Sequence, residues 1–119
     1  MNVALVGASP KPDRYAYKAW KRLVNHGHTV YLVHPKYPDI EGERVYANVS
    51  DIPTPIDTIT LYVNAERSTE MADAILALSP RRLIFNPGAE NPELEKRAIA
   101  KGIQAVGACT LVLLGTNQF

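Results

Sequence analysis

Val3-Ala4-Leu5-Val6-Gly7-Ala8-Ser9 stands near the start of the chain: four apolar residues, then a glycine and two small residues. That order reads as a short strand running straight into a tight turn. Similar apolar runs recur at Thr29 to Val33, Thr58 to Val63, Arg82 to Phe85 and Ile103 to Val106. Segments of helical period lie between them, so the pattern predicts α/β units around a parallel sheet. Between the first two runs, Ala16, Ala19, Trp20, Leu23 and Val24 form one apolar stripe at helical spacing, closed by Gly27. Met71, Ala74, Ile75 and Leu78 repeat the spacing, and Ser79-Pro80 ends it. A third helix has both ends marked: Asn91 as N-cap, Pro92 in the first turn with Glu93 and Glu95, and Gly102 beyond the last turn. Its apolar face is thin, chiefly Leu94, Ala98 and Ile99. Thr110 to Leu114 reads as a short helix or turn against the sheet.

Between Pro35 and Pro55 no periodicity stands out, apart from a short extended piece around Arg44 to Ala47. No repeat or linker divides the chain, so residues 1–119 are expected to form one domain. The chain has 119 residues, 46% of them hydrophobic, 21% charged, and a net charge of +1, which places it among ordinary globular proteins. A core of this size needs no disulfide or structural metal, and one cysteine supplies neither. No run approaches a membrane span, and the first residues lack the basic flank of a secretion signal. An intracellular, cytoplasmic protein is expected.

The small net charge hides an asymmetry: residues 1–38 carry +5 and residues 39–119 carry −4. The basic residues form no dense run, which argues against a nucleic-acid surface. Open α/β sheets bind ligands beyond the carboxyl ends of their strands, where the strand order reverses. In this chain those ends read Gly7-Ala8-Ser9, His34-Pro35-Lys36, Asn64-Ala65, Asn86-Pro87-Gly88 and Gly107-Ala108-Cys109. Gly7-Ala8-Ser9 lies where a phosphate would meet backbone N–H groups and the positive end of a helix, although a plain tight turn explains it equally. The full G-x-G-x-x-G fingerprint is absent, since Ser9 and Pro12 occupy its second and third glycine positions. An NAD site usually places an acid after the second strand; here stand His34 and Lys36. With Lys11 and Arg14, Lys36 suits a nucleotide that carries an additional phosphate, while each cation alone is also explained as solvated surface. Asn86-Pro87-Gly88 either borders the ligand or serves only as a turn. The three histidines have no metal-ligand partners at useful spacing, and Cys109 reads more simply as a buried thiol than as a nucleophile.

Val6-Gly7-Ala8-Ser9, Asp13-Arg14 with Tyr17, His34-Pro35-Lys36-Tyr37, Gly42, Ile52-Pro53 ahead of Ile56-Asp57, and Asn86-Pro87-Gly88-Ala89 together resemble the small stand-alone CoA-binding domain proteins. These are similar to the CoA-binding domain of the succinyl-CoA synthetase α subunit. The resemblance runs from Val3 to Ala108-Cys109-Thr110. It implies a single Rossmann-like, doubly wound domain with a five-stranded, mainly parallel sheet, and coenzyme A lying across the strand ends. Carried over by position, Gly7, Ala8 and Ser9 would hold the pyrophosphate, with Arg14 and Tyr17 nearby. His34, Pro35 and Lys36 would frame the adenosine and its 3′-phosphate, and Val63, Asn64, Asn86, Pro87 and Gly88 would line the remaining path. The family more often has Asn at the position of His34, and many relatives have a proline in the segment after Val63. The synthetases' phosphorylated histidine and nucleotide-grasp partner lie outside this kind of domain, so non-catalytic binding of CoA or an acyl-CoA is expected, with no protein partner specified. The alternatives are an NAD(P)-binding module and an acyl-transfer enzyme using Cys109.

Overall fold

The computed structural model describes all residues, Met1–Phe119. Its elements follow in the order β1 (Asn2–Val6), α1 (Tyr15–Asn25), β2 (Thr29–Val33), β3 (Asp39–Ile40), β4 (Glu43–Tyr46), a 3-10 turn (Val49–Asp51), β5 (Thr58–Leu61), α2 (Ala65–Glu70), α3 (Ala72–Ala77), β6 (Arg82–Phe85), α4 (Pro92–Ala100), β7 (Gln104–Gly107) and α5 (Thr110–Gly115). One sheet in the order β3-β4-β2-β1-β5-β6-β7 joins all the strands. Every pairing is parallel except that of β3 with β4. The chain leaves β1 toward β2 on one side and returns to β5 on the other, so the strand order reverses at β1.

Alternation along β1 sorts the core into two layers. Val3 and Leu5 face α1 and α5, packing with Ala16, Ala19, Trp20, Leu23 and Leu114. Ala4 and Val6 face the other helices, packing with Ile75, Leu76, Leu94 and Ala98. Both faces are buried, which is why the strands read as continuous apolar runs. Register then aligns the strand ends: Val6 pairs with Val33 and Leu61, Leu61 with Phe85, and Phe85 with Gly107.

The five expected parallel strands are present, but the sheet has seven. The two additional strands lie in the segment that reads as irregular. β3 has two residues and β4 four, and the outer strand carries Asp39 at the edge; a period of two leaves no trace in pieces so short. Glu41 and Gly42 close this hairpin with φ of 53° and 81°, the left-handed geometry that two-residue hairpin turns require. The second crossover also differs from expectation. It begins earlier, at Ala65, and breaks at Met71 into α2 and α3. Two residues assigned to apolar helix faces are exposed: Val24 at 49% and Ile99 at 57%. Val24 lies about 80° round the helix from Ala16, and Ile99 about 140° from Leu94, at about 100° per residue. The expected caps of α4 form, with Asn91 Oδ1 accepting from Leu94 N–H at 3.1 Å and Pro92 in the first turn.

Candidate functional site

A cleft of about 790 Å³ opens beyond the carboxyl ends of β1, β2 and β5, where the strand order reverses. Gly7, Ala8, Ser9, Arg14, His34, Pro35, Lys36, Val63 and Asn64 all line it, and so does Lys11. Tyr17, Asn86, Pro87 and Gly88 lie outside its lining. Each of these four is engaged elsewhere or displaced by the topology. Tyr17 turns its hydroxyl to Glu41, which Lys21 also reaches at 2.7 Å, so this residue ties α1 to the β3–β4 hairpin. Asn86 is buried. Its Nδ2 donates to Thr60 Oγ1 at 2.7 Å and to the Leu61 carbonyl at 2.9 Å, while its Oδ1 accepts from Thr110 N–H at 2.8 Å. Pro87 and Gly88 continue the same turn, and Gly88 N–H donates to the Glu90 carboxylate.

The turn after β1 is built differently from the expected phosphate loop. Gly7 and Ala8 both donate their N–H groups to the Val33 carbonyl, at 3.0 and 3.2 Å, and so have no free donor to offer. Gly7 is required for shape: its φ is +96°, and a Cβ there would stand 2.7 Å from the Tyr62 carbonyl oxygen. The free donors come later. Ser9 N–H and the first-turn N–H groups of α1, on Tyr15, Ala16 and Tyr17, have no acceptor in the protein. No side chain caps α1 and no acid lies in its first turn, so its positive end is left uncompensated beside the cleft.

The electrostatics of the cleft are one-sided. Lys11, Arg14, Lys36 and Arg67 line it and none forms an ion pair; Glu70 is the only acid in the lining. His34 lies among them. Its Nδ1 accepts from Lys36 N–H at 3.0 Å, which fixes the neutral tautomer with the proton on Nε2, and the ring packs on Tyr37 at 4.5 Å. Burial first, then the Arg67 and Lys36 charges, hold its pKa below the ordinary histidine value. The bond to residue i+2 is one that an asparagine side chain also makes, so His34 reproduces an Asx-type turn. Tyr62, which also lines the cleft, has a buried hydroxyl without a hydrogen-bond partner. The nearby Thr60 and Thr110 hydroxyls bond to each other at 2.8 Å, and burial pushes the phenol up to about 12. Cys109 is partly buried at the start of α5 and does not line the cleft.

Sequence reasoning missed Arg67, Tyr62 and Met71. Asn64 held the signal for Arg67: as N-cap it accepts from Arg67 N–H at 2.9 Å, so the helix starts at the strand end and its first turn faces the cleft.

The sequence profile of a family described as "CoA binding domain" matches residues 1–115. The ADP-forming acetate–CoA ligase I of Archaeoglobus fulgidus is 39% identical over 64 residues, 54% of this chain and 9% of that protein. The matched part of the chain thus spans under a tenth of the ligase's length. The Bacillus subtilis protein YneT is 24% identical over 100 residues, 84% of this chain and 74% of YneT. A crystal structure of an uncharacterized protein superposes with a TM-score of 0.93 at 39% identity, covering 99% of this chain and 97% of that one. No helix is long and apolar enough to cross a membrane.

Proposed function

The chain belongs to the CoA-binding domain family, and from that premise and the geometry of the cleft we propose that it binds coenzyme A or an acyl-CoA without catalysing a reaction on it. The observation that carries this reading is the convergence of four cations without ion pairs on one cleft at the reversal of strand order. Coenzyme A is a polyanion, with a pyrophosphate and a 3′-phosphate that NAD lacks. A site that places Lys36 after β2, where an NAD site places an acid, favours the additional phosphate.

In this reading the pyrophosphate lies against Ser9 N–H and the open first turn of α1, with Lys11 and Arg14 beside it. Gly7 and Ala8 contribute close approach rather than donors. His34, Pro35 and Lys36 frame the adenosine and its 3′-phosphate, and the remainder of the ligand runs past Val63 and Asn64. From the ligase relative we carry over the ligand and not the ligation. A carrier, sensor or regulatory role follows, and a single free thiol suits a reducing, cytoplasmic setting.

Titration calorimetry with CoA and dephospho-CoA tests the proposal. CoA is expected to bind more tightly, and Lys36→Ala to remove most of the difference, about 10- to 100-fold for a charge-assisted contact. Equal affinities for the two ligands in the unaltered protein would overturn it. Intact mass after incubation with acetyl-CoA tests the non-catalytic part: no added acetyl group is expected, and an adduct on Cys109 would put acyl transfer in its place.

A further inference from the structure

Arg67 is the cleft cation that stands beyond the strand ends, in the first turn of α2, across β1 from Lys36. β2 and β5 flank β1, so their carboxyl ends sit on one edge of the sheet, about 10 Å apart at two strand spacings. Lys36 follows β2 and Arg67 follows β5, and both line the same cleft. Two long side chains close such a gap from either side.

The two residues are fixed at their bases and free at their heads. Lys36 N–H is held by His34 Nδ1 at 3.0 Å, and Arg67 N–H by Asn64 Oδ1 at 2.9 Å. The helix that carries Arg67 is anchored in turn by Asn91, whose Nδ2 donates to the buried Ser68 Oγ at 2.8 Å and to the Ala65 carbonyl at 3.2 Å. Neither charged head has a partner in the protein. His34 lines the cleft with them, and after burial the Arg67 and then the Lys36 charge lower its pKa. Glu70, one turn further along α2, pairs with neither.

We infer that Lys36 and Arg67 are the two arms of a clamp on a single phosphomonoester, closing over His34 from opposite sides of β1. Resting on the CoA reading above, that group is the ligand's 3′-phosphate. The chemistry divides the work. A phosphomonoester carries nearly two negative charges at neutral pH, and one cation leaves it half neutralised. Arginine offers a planar fork that takes two phosphate oxygens, while lysine adds a compact charge to the third. A phosphodiester or a ribose hydroxyl at the same place satisfies only one arm. The clamp therefore makes the site selective for ligands that end in a monoester.

Calorimetry on the full chain, with CoA and dephospho-CoA as probes, tests the clamp. Arg67→Ala is expected to weaken CoA about 10- to 100-fold and dephospho-CoA by less than about 3-fold, with Arg67→Lys recovering part of the loss. The Lys36→Ala/Arg67→Ala pair should leave no preference between the two ligands. The thermal midpoint of Arg67→Ala should stay nearly unchanged, because its head makes no ion pair in the protein, and a merely structural role would not move the ratio of affinities. If Arg67→Ala weakens both ligands equally, or neither, while the unaltered protein still prefers CoA, the clamp is wrong and the CoA reading stands. If the unaltered protein shows no preference, both fall together.

Discussion

The turn after β1 and the turn after β6 end parallel strands on the same edge of one sheet, and both present small polar residues there. They do opposite things with their polar groups. Past Gly7 and Ala8, Ser9 N–H and the first turn of α1 remain without acceptors, and the surrounding cations have no partners. At Asn86 both Nδ2 donors and one Oδ1 acceptor site are already used, tying β5 and β6 to the start of α5. A strand-end position by itself therefore does not separate the two turns. Unspent donors do, because those are the groups whose water a ligand could replace.

Asn86→Ala gives the largest expected effect and breaks the comparison most directly. Removing the side chain leaves Thr110 N–H and the Leu61 carbonyl without their partner in a buried setting, at about 3 to 5 kcal/mol. Urea denaturation should show that loss, while CoA affinity measured under folding conditions stays within a few-fold of the unaltered protein. A large change in affinity with stability retained would make Asn86 a ligand residue after all.

Gly7→Ala comes next and sharpens the contrast between shape and donation. The positive φ alone costs about 1 to 2 kcal/mol in a residue with a Cβ. That Cβ would also press on the Tyr62 carbonyl, so a total loss of about 2 to 4 kcal/mol is expected in the denaturation midpoint. Because Tyr62 follows β5 and lines the cleft, CoA binding should weaken as well. An alanine variant of native stability would mean that the turn is not strained as described.

The smallest effect concerns pH. His34 and His28 both have pKa values lowered in the fold, chiefly by burial. The unfolded chain then takes up protons more readily, so stability is complete above the ordinary histidine value of about 6.5 and declines as pH falls below it. His34→Asn keeps an acceptor for Lys36 N–H and removes the titration. Its thermal midpoint should fall less between pH 7 and pH 5 than that of the unaltered protein. An equal fall would assign the acid sensitivity elsewhere, with His28 the remaining histidine so shifted.

Much of this molecule was legible in its residues, and the omissions have physical causes. β1, β2, β5 and β6 announced themselves because they lie inside the sheet with both faces largely covered, leaving nearly continuous apolar runs; β7, at the edge with exposed ends, showed only as the short run ending at Val106. β3 and β4 did not, since strands of two and four residues at an edge are placed by their neighbours rather than by their own pattern. Ser9, Arg14, His34, Lys36 and Asn64 were legible as strand-end residues, and all of them line the cleft. Tyr17 was assigned to the cleft, but it lies on the turn of α1 that faces the hairpin and bonds Glu41 there. Arg67 was missed because the apolar stripe of its crossover begins only at Met71, after the turn that faces the cleft.

The order of apolar runs and turns determined the α/β class, the single parallel sheet and the edge of that sheet on which a ligand site would lie. Those follow from local patterning, which any stretch of chain carries within itself. Tertiary structure alone decided which strand-end groups remained unspent, because hydrogen-bond partners are drawn from distant segments: Val33 takes the donors of Gly7 and Ala8, Thr60 and Thr110 engage Asn86, and Arg67 comes to lie across β1 from Lys36.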